Sequence, residues 1–110
     1  MPDAPARYMR VMVFFDLPVK TRAERREYSH FRHFLQSDGF DMLQFSVYSR
    51  LVAGDEAARQ HVERVKSHLP PAGSVRALVV TDKQYGRMQH LIGPPTKHEQ
   101  TVQSQQLLLL

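Results

Sequence analysis

Five consecutive apolar residues, Val11 to Phe15, stand between Arg10 and Asp16. An unbroken apolar run of this length predicts a short strand covered on both faces, at the centre of a sheet. Pro18 forbids continuation of the ladder and marks a connection. Thr21-Arg22-Ala23-Glu24 has the form of a capping box, in which Thr21 accepts from the N–H three residues on while Glu24 reaches back. The helix it opens, about residues 22–38, carries Tyr28, Phe31, Phe34 and Leu35 on one stripe. Asp38-Gly39 supplies its stop, since glycine takes the left-handed conformation beyond a helix end without cost from a Cβ. Phe40–Val52 alternates, with Leu43, Phe45 and Val47 on one face and Met42, Gln44, Ser46, Tyr48 and Arg50 on the other. This predicts a strand, or two strands with an irregular join, with one face on the core. Gly54-Asp55 opens a second helix, about residues 56–69, with Ala58, Val62, Val65 and Leu69 on its buried stripe. Pro70-Pro71 and Gly73 end it. Ser74–Thr81 is a β-branched strand, Asp82–Met88 a turn or short helix, and Leu91-Ile92 a brief edge strand. From Gly93 the chain turns polar and loop-like, then finishes in Leu107, Leu108, Leu109 and Leu110.

The order β-α-β-(β)-α-β, with two helices able to share one sheet face, predicts an α+β fold. It is a ferredoxin-like β-α-β-β-α-β sandwich with a short extra C-terminal strand. Residues 1–8 read as a flexible extension, 9–93 as the domain and 94–110 as a tail. At 110 residues and 42% hydrophobic, the chain holds one core of marginal stability that gains from pairing with a second copy. With no cysteine, disulfide frameworks, Cys-based zinc sites, iron–sulfur clusters and thiol nucleophiles are excluded. The first eight residues lack the apolar segment of a secretion signal, and the longest apolar run is too short for a membrane span. A soluble, cytoplasmic protein is expected. No Gly-rich phosphate loop is present, which removes most nucleotide-cofactor enzymes.

Asp16 is the most informative candidate. It follows directly on the buried strand, so its carboxylate belongs at the sheet rim, where a metal or catalytic group is readily displayed. The competing reading is a turn cap or an Arg partner. A Mg²⁺ site takes one or two protein carboxylates, and no second one is near in sequence. A two-fold dimer would supply it, by bringing the ends of the two first strands to the axis. Lys20, Arg22, Arg25, Arg26 and Arg32 face only Glu24 and Glu27, so residues 20–33 carry a net +3. Such a cluster can follow a phosphate backbone, or it can be a solvated face laced with Glu–Arg pairs. The net charge of +4 is compatible with either. His30 and His33 lie three apart on the first helix, but no acidic residue joins them at ligand spacing, and the six histidines read as surface groups. Ser46 and Ser49 lie in a strand pattern rather than at a nucleophile elbow. The terminal leucines suit docking on a partner or folding back on their own sheet.

Four segments in order are RVMVFFDLP, the Arg-rich helix, MLQFSVYSR and LPPAGSVRALVVTDKQY. Together they resemble the CRISPR-associated protein two family over about residues 9–93, most closely the variant beside Cas-nine-type effectors. The resemblance implies a ferredoxin-like homodimer with a metal-dependent phosphodiesterase site. There, Asp16 from both subunits shares one Mg²⁺. It further implies a role in spacer acquisition, where the dimer bridges copies of the integrase, CRISPR-associated protein one, and supports captured duplex DNA. Position by position, only Asp16 carries over securely. Three functions follow: a dimeric DNA-binding scaffold with a nuclease site, a stand-alone Mg²⁺-dependent nuclease on single-stranded RNA or duplex DNA, or a small regulatory oligomerisation module.

Overall fold

The structure is a computed structural model and describes residues 7–94. Strand β1 spans Tyr8–Asp16, helix α1 Arg22–Ser37, β2 Asp41–Gln44, β3 Val47–Ala53, α2 Asp55–Lys66, β4 Ser74–Thr81 and α3 Asp82–Gly86. The four strands form one sheet in the order β2-β3-β1-β4, with every neighbouring pair antiparallel. β1 therefore runs parallel to β2, and β3 to β4, each pair joined by a helix across an intervening strand. This is the split βαβ arrangement of a ferredoxin-like fold, as the pattern of elements predicts.

β1 holds the centre because its residues are apolar on both faces. Met9, Val11, Val13 and Phe15 point into the core with Tyr48 and Val52 of β3, and meet Phe31 and Leu35 of α1 and Ala58 and Val65 of α2. Phe15 packs edge-on to Tyr28 and Phe31 and stacks on Tyr48, with centroids 5.2–5.9 Å apart. The opposite face carries Arg10, Met12 and Phe14, paired with Leu51, Ser49 and Val47 of β3 and with Val80, Leu78 and Arg76 of β4. Part of that face is covered by α3. Its Tyr85 lies under the Arg10 guanidinium at 4.5 Å and shares a 3.2 Å hydrogen bond with Ser49. Arg10 also bonds Asp82 at 2.9 Å.

Three expectations are corrected. Phe40–Val52 forms the two strands with an irregular join rather than one strand: the β2–β3 register shifts between Met42 and Gln44, and Ser46 takes φ 63° in the turn, so the expected faces do not carry through. An odd slip exchanges the two faces of a strand. Tyr48 and Val52 thus enter the core, while Phe45 is 83% exposed. The second helix ends at Lys66, because the Ser67 hydroxyl and His68 Nδ1 both bond the Arg64 carbonyl at 2.8 Å. Leu69 is left half-exposed beyond it. The extra strand at Leu91-Ile92 is not formed: both side chains stand in solvent, 85% and 92% exposed. A strand needs a ladder partner, and the described residues offer these two none.

Candidate functional site

Asp16 closes β1 at the sheet rim, and two segments converge on it, the start of β4 and the β2–β3 turn. Its strand neighbour is Ser74 of β4. On the other side, the Phe15 N–H donates to the Ser46 carbonyl at 3.0 Å, which holds the β2–β3 turn against the strand end. Above it, Gly73 takes φ +99°, and a Cβ there would lie 2.7 Å from the Asp16 carbonyl oxygen. That approach and that backbone angle are open to glycine alone. The result is a shallow depression of about 270 Å³ lined by Phe14, Phe15, Asp16, Phe45, Ser46, Val47, Ser74 and Arg76.

The Asp16 carboxylate is exposed and makes no ion pair or side-chain hydrogen bond among the described residues. Neither the turn-cap reading nor the Arg-partner reading is met there. Contrast Asp38, whose carboxylate bonds His61 Nδ1 at 2.8 Å and Arg64 Nη2 at 2.7 Å, while its carbonyl accepts from Arg50 Nη1. Sequence reasoning missed this buried network, because its members come from the end of α1, from β3 and from α2.

The basic cluster divides by what each residue does. The capping box is present: Glu24 N donates to Thr21 Oγ1 at 3.0 Å, and Glu24 Oε1 accepts from the N–H of Thr21 and of Lys20. Glu24 is thereby occupied, and no Glu–Arg ion pair forms along α1 among the described residues; α2 carries one instead, Arg59–Glu56, together with a Glu–Lys pair, Lys66–Glu63. Arg25 donates to the carbonyls of Val19 and Lys20 at 3.1 and 2.9 Å, and so ties down the loop after β1. Arg32 donates to the Tyr48 hydroxyl at 3.0 Å. The side chains of Lys20, Arg22 and Arg26 are exposed and unpaired among the described residues. Leu107, Leu108, Leu109 and Leu110 lie outside the described residues.

No group of three or more His, Asp or Glu able to hold a metal forms among the described residues. His61 is taken up by Asp38, and His68 stacks on Phe34 with centroids 3.9 Å apart. Nor is any described helix long and apolar enough to cross a membrane.

Fold and rim together define a ferredoxin-like α+β domain that presents one uncommitted carboxylate at the end of its central strand. Residues 9–88 match the family described as CRISPR associated protein Cas2. The chain belongs to that family. A protein of Acidovorax ebreus (strain TPSY), named CRISPR-associated endoribonuclease Cas2, is 50% identical over 101 residues, covering 92% of this chain and 99% of the relative. Proteins of the same name are 45% identical in Ligilactobacillus salivarius (strain UCC118), over 81% of this chain and 88% of the relative, and 44% identical in Parvibaculum lavamentivorans (strain DS-1), over 93% and 99%.

Proposed function

We propose that this protein is a homodimeric, divalent-metal-dependent endoribonuclease of a CRISPR system, cutting phosphodiester bonds at Asp16. It works in the cytoplasm within the adaptation apparatus that includes the integrase, CRISPR-associated protein one. The observation that carries the reading is Asp16 itself: the strand end around its backbone is held by Ser46, Gly73 and Ser74, while its exposed carboxylate is engaged by nothing among the described residues. The relatives' name, endoribonuclease, supports the RNA-cutting part.

A hard, exposed carboxylate oxygen fits Mg²⁺, which takes one or two protein carboxylates and completes its shell with water and phosphate. One protomer supplies a single carboxylate, and its mate across a two-fold axis supplies the second. When bound, the ion offsets charge developing on the phosphate and favours hydrolysis by water. The chain's own groups do the holding. Gly73 and Ser46 fix the strand end, and Lys20, Arg22 and Arg26 offer cations to the flanking phosphates. Arg25 and Arg32 retain spare N–H groups for the same strand, although their first partners are internal.

Replacing Asp16 by Asn keeps the size and removes the charge. Cleavage of labelled RNA in Mg²⁺ should fall by about a hundredfold or more, the scale of losing one electrostatic group at a transition state. Melting temperature and sedimentation should not change. Full activity in the variant would refute the assignment.

The uncommitted cations favour a second reading, a scaffold that grips duplex DNA. Substituting Gln for Arg22 and Arg26 should then reduce the salt dependence of duplex binding by about 0.9 in log–log slope per lost contact. An unaltered slope would leave these arginines merely solvated.

A further inference from the structure

Phe45 is the anomaly of the described surface. A large aromatic ring stands 83% exposed at the tip of the β2–β3 turn, although the alternation groups it with the apolar Leu43 and Val47. Its placement is fixed: Ser46 beside it has φ 63°, and the Ser46 carbonyl is bonded by the Phe15 N–H. The ring lines the same depression as Asp16. Arg76 lines it too. In the β1–β4 register Arg76 pairs with Phe14 and Ser74 with Asp16, so Arg76 is the diagonal neighbour of Asp16 on one sheet face. No carboxylate is paired with Arg76 among the described residues.

We propose that Phe45 and Arg76 are positioning residues for the substrate strand: Phe45 stacks on one unpaired base, and Arg76 holds an adjacent phosphate beside Asp16. The assignment rests on the reading of Asp16 as the cleavage site and adds how the strand is presented to it. An exposed aromatic ring offers every base a π-face and so stacks without regard to sequence. In a duplex each base face is already covered by its neighbours, and the ring finds nothing to stack on. The rim therefore selects single strands over duplex by shape. A guanidinium on the same rim adds the phosphate contact that sets how far the base sits from the carboxylate.

The chain has no tryptophan, so Phe45→Trp installs a single reporter at the platform. In EDTA, where no cutting occurs, a short oligouridylate should quench the emission of that variant, and the same strand annealed to oligoadenylate should not. Phe45→Ala should bind the single strand roughly tenfold or more weakly, and Trp at this position should restore binding. With Mg²⁺ present, the alanine change should raise KM more than it lowers kcat. Arg76→Gln should reduce the single-strand salt slope by about 0.7. The proposal is overturned if the emission ignores the single strand, if duplex and single strand quench alike, or if Phe45→Ala binds unchanged. It also fails if Phe45→Ala sediments differently from the parent, since Phe45 would then be a contact between copies. Because the emission, binding and sedimentation readouts need no cleavage, they stay separate from the fate of the Asp16→Asn test.

Discussion

Asp38 is nearly sealed from water and accepts from two side chains, whereas Asp16 stands in solvent with no partner among the described residues. Each stands at the end of its element, just before a chain reversal, so sequence alone offers the cap reading for both. The position of Asp16 at the strand end was legible, because five apolar residues and a proline frame it. Its freedom was not, since that depends on what the loops at Ser46 and Gly73 bring near. Gly73 is the residue most closely bound to the site. Gly73→Ala combines a backbone angle that L residues avoid with a clash on the Asp16 carbonyl. It should cost about 1–3 kcal/mol by urea denaturation and lower RNA cleavage with it. An alanine variant with unchanged stability would mean that the loop yields freely.

At the scale of elements, the termini of α1 do different work. The N-terminal capping box was readable because Thr21 and Glu24 are three apart in the chain. The same signature at Thr81–Gln84 caps α3, with Gln84 N donating to Thr81 Oγ1 at 3.0 Å, and it too was there to be read. The C-terminal end is held by contacts from far along the chain, 23 residues away in the case of His61, and no local pattern announces them. Asp38→Ala removes the acceptor shared by His61 and Arg64. The expected loss is about 1.5–3 kcal/mol, the range for hydrogen bonds to charged groups. Arg64 stays largely hydrated, at 60% exposure, which keeps the loss below that of a fully buried pair. A shift in urea midpoint with unchanged RNA cleavage per folded molecule would fit. No shift would show the network to be ornamental.

At the scale of the whole molecule, the two sheet faces are unequal. One is covered by α1 and α2; the other exposes Leu51 and Leu78 and is only partly covered by α3. Asp16 lies at the edge of that second face, which is the face the proposed dimer would bury. Leu78→Asp should therefore convert the dimer to a 12.7 kDa monomer in sedimentation and lower RNA cleavage without unfolding the domain. A dimer that survives the change would place the interface elsewhere. Adding the integrase to the same runs, with the chain cut after Gln106, reads whether Leu107 to Leu110 carry that contact. The fold class was legible at this scale because element order and helix stripes are properties of the whole sequence. The β2–β3 register was not, for nothing in QFSV signals a turn: no glycine or asparagine marks the positive φ at Ser46.

The central place of β1 also governs when the site comes into being. Met9 pairs with Thr81, and the strand that carries Asp16 is completed by a neighbour from the far end of the domain. Pairings so distant along the chain close late in folding, because a long loop must be ordered before they form. Phe45 and Ser46 meet the strand end once β3 has docked, but Gly73, Ser74 and Arg76 arrive only with β4. On a ribosome, the carboxylate at position 16 emerges early and waits for some sixty residues of further synthesis before its surroundings exist. A chain interrupted before β4 carries the acid without the site.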